Sequence, residues 1–166
     1  MKYNHSHTVS NPVSQAHPQC LKLIDEIILK DDDNISILVN VFDKSKAIDV
    51  DSVEKYLAKI EKRNANKTMD LAFSITDSNN DVKIQLVELK LNVKNTSLLL
   101  QKDLMGKFDG ATEIFILHKL VVMDLCVFIF QSNKKQEATN RLARMYPKIP
   151  RAYKVLDVNE LKGIFF

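Results

Sequence analysis

The chain has 166 residues, of which 45% are hydrophobic and 27% charged, with a formal net charge of +3; this is the size and mix of one soluble globular domain with its own core. Three glycines argue against repeats or low complexity, and the mild basic balance suits a polyanionic partner without demanding one. Two cysteines, Cys20 and Cys126, do not make a secreted disulfide framework and leave a reducing cytoplasm as the default. Met1 to Pro18 lacks the apolar centre of a signal peptide. The longest hydrophobic stretch, Ile114 to Phe130, is broken by His118, Lys119 and Asp124 and is too short for a membrane span.

Residues 1 to 11 carry few groups able to bury area and are expected to be mobile, with residues 12 to 166 forming one domain. From Pro18 to Lys30, Leu21, Ile24, Ile27 and Ile28 recur at helical spacing, and Asp31-Asp32-Asp33-Asn34 ends the run. Ile35 to Phe42 is rich in β-branched residues and predicts a short strand. Between Asp49 and Asn64, Asp51 or Ser52 can cap a helix whose stripe is Val53, Tyr56, Leu57 and Ile60. Its outer face carries Glu54, Lys55, Lys59, Glu61 and Lys62. Residues 69 to 75 and 82 to 93 then pair as a hairpin through the polar turn Asp77-Ser78-Asn79-Asn80-Asp81.

Asn92 to Lys107 predicts a helix opened by Asn95 or Thr96, lined by Leu98, Leu99 and Leu104, and closed by Gly106 and Gly110. Ile114 to Leu117 and Leu120 to Phe130 read as strands, the second so continuously apolar that both its faces must be covered. Lys134 to Tyr146 is a basic amphipathic helix with Ala138, Leu142 and Met145 inward and Lys134, Lys135, Arg141 and Arg144 outward; Pro147 and Pro150 end it. Tyr153 to Leu156 adds a last strand and Val158 to Phe166 a closing helical turn. The expected fold class is α/β, a mixed central sheet with an antiparallel hairpin, flanked by helices.

The hairpin holds three hydrophilic residues in two apolar runs. Strand side chains alternate faces, so Glu88 and Lys90 point the same way, about 7 Å apart, and Asp70 on the preceding run can join them. Ile84 and Leu86 share their face while Val87, Leu89 and Leu91 take the other, so both faces are expected to be buried. Two carboxylates without a cation would repel until one took up a proton; a hard divalent ion and the lysine remove that conflict. The same stretch, Asp77 to Glu88, also fits an EF-hand loop at several ligand positions, but its sixth position needs glycine and holds Val82. His5, His7, His17 and Cys20 do not complete a zinc ligand set. Asp124 is expected within a central strand, hydrogen-bonded to a neighbouring strand's lysine or to a cap, with an auxiliary acid near the site as the alternative.

An acidic residue opening one strand, then Glu-x-Lys in the next after a turn, resembles the PD-(D/E)XK nuclease-like superfamily. The resemblance covers roughly residues 50 to 130 and departs from the signature in having Met69, not proline, before Asp70. It implies a restriction-endonuclease-like fold and a metal-dependent nuclease that hydrolyses phosphodiester bonds. Asp70 and Glu88 would then bind Mg²⁺ or Mn²⁺, with the Leu89 carbonyl as an extra ligand, and Lys90 would orient or deprotonate water. It further implies that the helix before the Asp70 strand, through Glu54 or Glu61, can lend a carboxylate. Gln101 and Lys102, with Arg141 and Arg144 on the later basic helix, would meet the nucleic-acid backbone, DNA before RNA. Sequence-specific cutting by so short a chain would call for a homodimer. The rival expectation is a catalytically inactive interaction or nucleic-acid-binding module on the same core.

Overall fold

The computed structural model describes residues 1–31 and 40–166. In chain order these form β1 (Lys2–Tyr3), α1 (His5–Ser10), α2 (Pro12–Ala16), a 3-10 turn (Pro18–Cys20), β2 (Leu21–Leu23), α3 (Ile24–Asp31), β3 (Lys46–Asp49) and α4 (Val50–Glu61). There follow β4 (Leu71–Thr76), β5 (Val82–Lys90), a 3-10 turn (Thr96–Leu98), α5 (Gln101–Leu117), β6 (Leu125–Phe130), α6 (Ser132–Ala143), β7 (Ala152–Leu156) and α7 (Val158–Phe165).

The strands make one seven-stranded sheet in the order β2-β3-β4-β5-β6-β7, with β1 lying on β4 beside β3. Pairing is antiparallel from β2 to β5 and parallel from β5 to β7. Parallel neighbours need a crossover, and α5 and α6 supply them. The period-two pattern of β5 and β6 sorts their side chains cleanly. Ile84, Leu86, Phe128 and Phe130 join the core under α4, α5 and α6, whereas Val87, Leu89, Val127 and Ile129 join the core under α3 and α7. Burial on both faces explains why β6 reads as an unbroken apolar run. The fold is thus the expected mixed α/β sheet with an antiparallel hairpin, flanked by helices. No helix among the described residues is long and apolar enough to cross a membrane.

The hairpin turn is held by Asp77, whose carboxylate accepts from the N–H of Asn79 (2.9 Å) and Asp81 (3.0 Å) and from Lys83 Nζ (2.6 Å). Asn80 takes the left-handed conformation, φ 64°. Those bonds use the carboxylate that an EF-hand would give to calcium, and Val82 begins β5.

Several expected elements fall differently. Residues 1–11, expected to be mobile, are structured: Thr8 is fully buried and its hydroxyl accepts from the Ser74 N–H (2.9 Å), while the Tyr3 hydroxyl donates to the Lys46 carbonyl (2.8 Å). Polar side chains that satisfy open sheet backbone anchor this segment, which a count of apolar residues overlooks. The helix expected over Pro18 to Lys30 starts only at Ile24, because Leu21 and Leu23 follow the strand period and Ile24, Ile27 and Ile28 the helical one. Of the strand expected over Ile35 to Phe42, residues 35–39 lie outside the described residues; Val41 and Phe42 stand in a turn whose N–H groups donate to Asp25.

α5 begins later and runs further than expected, absorbing Ile114 to Leu117, and Gly106 and Gly110 lie inside it. Only Leu125–Phe130 of the run expected from Leu120 is strand, although Val121 and Met123 bridge to Ile84. Asp124 is therefore not interior. It is exposed and pairs with Arg151 at 2.5 Å.

Gly110 has a packing reason. A Cβ there would come within 2.3 Å of the Lys67 carbonyl oxygen, so the segment leading to β4 lies directly against the helix. A Cβ on Gly106 meets nothing within 4 Å. Gly110→Ala should cost about 1–3 kcal/mol in urea unfolding, and Gly106→Ala should gain about 0.5–1 kcal/mol from helix propensity. Equal behaviour of the two variants would contradict this packing.

Candidate active site

Leu71 pairs with Val87, and the Asp70 N–H donates to the Val87 carbonyl (3.2 Å), so Asp70 stands opposite Glu88 at the open end of the hairpin. The geometry brings Asp70, Glu88 and Lys90 together. Glu88 pairs with Phe128 of β6 and is 0% exposed. Its Oε1 accepts from Lys107 Nζ of α5 at 2.6 Å and lies 2.6 Å from Lys90 Nζ, whereas its Oε2 is buried without a hydrogen-bond partner among the described residues. Lys107 Nζ also lies 3.6 Å from Asp70 Oδ1, and Asp70 Oδ2 accepts from the Leu89 N–H at 2.6 Å. The N–H of Leu89 thus faces Asp70.

Burial, and then the nearby charge of Asp70, push the Glu88 carboxyl up to about 7 despite both ammonium groups. The Glu88 charge holds the Lys107 ammonium above the usual lysine range, although burial opposes this. Asp31, at the end of α3, is raised by burial even though it accepts from the Leu91 N–H (3.2 Å).

Two openings meet at the Asp70–Lys107 pair. A cleft of about 130 Å³ is lined by Lys30, Asp31, Asp49, Asp51, Asp70 and Leu89. A groove of about 320 Å³ is lined by Lys67, Lys90, Leu98, Leu100, Asp103 and Lys107 among others. In the cleft, Asp49 caps α4 by accepting from the Ser52 N–H (2.9 Å) and is paired with Lys22 (2.5 Å). Burial works against its ionisation, but these bonds outweigh it and hold Asp49 below the usual carboxylate range.

The remaining expected residues are more scattered. Gln101 and Lys102 lie on the first turn of α5, whose Asp103 and Leu104 line the groove. Arg141 Nη2 donates to the Leu99 carbonyl (2.9 Å), tying α6 to the groove wall, and Arg144 is exposed at the end of α6. Glu54 is buried and binds the Arg63 guanidinium (2.5 and 3.2 Å) and the Asn66 N–H (2.6 Å). It organises the loop that leads to Asp70. Glu61 is exposed and also binds Arg63. His17 is buried with its ring edge-on to Tyr56, and both cysteines are buried and free.

Sequence reasoning missed Lys107. Its signal is a cation at i+3 from Leu104 and i−4 from Ala111, both buried, so it sits on the stripe that packs against the sheet. Expecting the helix to end at Lys107 made it look like an ordinary terminal charge. Asp31 reads in sequence as a helix breaker, and the cap of α4 is Asp49 rather than the expected Asp51 or Ser52, because its carboxylate reaches the Ser52 N–H.

The donor set suits a hard cation. Among the described residues no three His, Cys, Asp or Glu side chains form a ready-made cage, but Mg²⁺ commonly takes one or two carboxylates and keeps water in its other positions. Asp70 and Glu88 are the two carboxylates that would form such a pair, and Glu88 Oε2 has no hydrogen-bond partner among the described residues.

Because the folded state holds a proton on Glu88 up to about pH 7 and the unfolded chain releases it near 4.5, the native state binds more protons between those values. Stability without metal should therefore fall as pH rises from about 4.5 to 7, by on the order of 3 kcal/mol at most. Glu88→Gln should remove that part of the slope in urea titrations; an unchanged slope would contradict the assignment. Comparison with protein-family models, curated proteins and solved structures found no match to this chain.

Proposed function

We propose that this chain is a Mg²⁺- or Mn²⁺-dependent nuclease of the PD-(D/E)XK kind, hydrolysing phosphodiester bonds in nucleic acid. The observation that carries the reading is the cross-strand Asp70–Glu88 pair at the open end of the hairpin, with Lys90 on the same strand within 2.6 Å of Glu88. Supporting it is the order of elements around the pair: a helix, an antiparallel hairpin, then a crossover helix to a parallel strand.

Asp70 and Glu88 would hold the ion, which when bound supplies positive charge to the scissile phosphate and acidifies water. The chain's own groups do the rest. Lys90, its ammonium at the mouth of the groove, orients the attacking water and stabilises charge as the water oxygen bonds phosphorus and the ester oxygen leaves with a proton. Exposed Lys102, and Lys67, which is paired with Asp103 at 2.9 Å, would face a phosphate backbone on that side of the protein. DNA before RNA is the partner in this reading, a homodimer the form for sequence-specific cutting, and the free, buried cysteines support a reducing cytoplasm.

One observation favours the rival, a catalytically inactive interaction module: Asp70, Glu88, Lys90 and Lys107 neutralise one another without any ion. The two readings separate on supercoiled plasmid, single-stranded DNA and RNA incubated with Mg²⁺ or Mn²⁺. Metal-dependent cleavage is expected, lost in Asp70→Ala and reduced about 100-fold or more in Lys90→Ala. No cleavage of any substrate together with no Mn²⁺ binding would overturn the nuclease reading in favour of the module.

A further inference from the structure

Lys107 occupies the place a metal would need. Its ammonium lies between the two carboxylates, 2.6 Å from Glu88 Oε1 and 3.6 Å from Asp70 Oδ1. Glu88 Oε1 already has two ammonium groups on it, and the four charges sum to zero. A divalent ion entering this partly enclosed site would raise the net charge to +2 and meet two cations at hydrogen-bond range of its own ligand, which low local dielectric makes unfavourable.

We infer that Lys107 is a resident counter-cation, and that its ammonium and a divalent ion hold the Asp70–Glu88 pair in alternation. This rests on the reading that the pair binds metal. Lys90 does not share the role: among the described residues its ion pair is with Glu88, whereas Lys107 pairs with both carboxylates and comes from a different element, α5. Lys107 also has somewhere to go. Its side chain already lines the groove that carries Lys67, Asp103 and the exposed Leu98 and Leu100. When the ion enters, the ammonium turns outward into that groove, where it faces a substrate phosphate. The same residue thus keeps the empty site neutral and, once displaced, becomes a phosphate-binding group, so that metal loading and substrate binding favour each other.

The test is Mn²⁺ binding followed by electron paramagnetic resonance at pH 8 under argon, without nucleic acid. Lys107→Met keeps an unbranched apolar stem of nearly the same length and removes the charge. It should bind Mn²⁺ at least ten-fold more tightly than the wild type, and adding Glu88→Gln to it should abolish the gain. Equal or weaker binding by Lys107→Met, with the wild type binding, overturns the inference and leaves the metal site standing. No binding by either overturns both. If Lys107→Met does not fold, the wild type serves: the ¹³Cε resonance of Lys107 should move on Mg²⁺ saturation while that of Lys154 on β7 stays fixed. An unmoved Lys107 resonance at saturating Mg²⁺ overturns the inference.

Discussion

A carboxylate with no access to water, Glu88, sits near the end of β5 between Val87 and Leu89 and beside Phe128, and the surrounding structure answers to it. Desolvating an ion costs several kcal/mol even in a relaxed protein interior. The charge is tolerable only because two ammonium groups reach the same oxygen. Lys90 is there by strand alternation. Lys107 is there because α5 packs its buried stripe over the same face of the sheet, and α5 lies close because Gly110 admits the Lys67 carbonyl and the Lys107 carbonyl accepts from the Met69 N–H (3.2 Å). That last bond places Asp70. One buried charge thus links the hairpin, the crossover helix and the segment between α4 and β4.

Such an arrangement is poor design for stability alone. A hydrophobic side chain of similar volume at position 88 would match its neighbours Leu86 and Phe128, and buried ion pairs replaced in this way are often neutral or improved in stability. Retaining a carboxylate whose second oxygen has no partner is the sort of local cost that accompanies a site needing charge. The location agrees with this. Asp70 lines a charged cleft and Lys90 and Lys107 line a lysine-bearing groove, with Glu88 buried beside them.

Much of this was legible in the sequence. Alternation over Val82 to Leu91 gives both the strand and the shared face of Glu88 and Lys90, and Asp70 follows from the register of a short polar turn. The amphipathic pattern of α6 is equally plain, whereas the expected stripe of α4 holds only in part: Val53 is buried, but Tyr56 and Ile60 are exposed, and Glu54, expected on the outer face, is buried because it binds Arg63 and the Asn66 N–H. The losses have physical causes. Two periods are spliced at Leu23 and Ile24, so a single helical pattern over the whole run hides a strand. Glycines inside α5 look like stops, and only the packing against Lys67 shows why Gly110 is tolerated. Thr8 and Tyr3 hold the N-terminal segment through hydrogen bonds to sheet backbone, which hydrophobicity does not register. Lys107 hides because a lysine on an apolar stripe is legible only once the helix is known to continue past it.

The direct test is a titration of the Glu88 side-chain carboxyl by ¹³C nuclear magnetic resonance, with and without saturating Mg²⁺. A midpoint near 7 in the absence of metal, falling by more than one pH unit when Mg²⁺ is present, is the expected result: burial and the Asp70 charge favour the protonated form, and a bound ion would favour the ionised one. A midpoint in the ordinary carboxylate range without metal, or one that Mg²⁺ leaves unmoved, would contradict the view that this buried acid is the centre of a metal site.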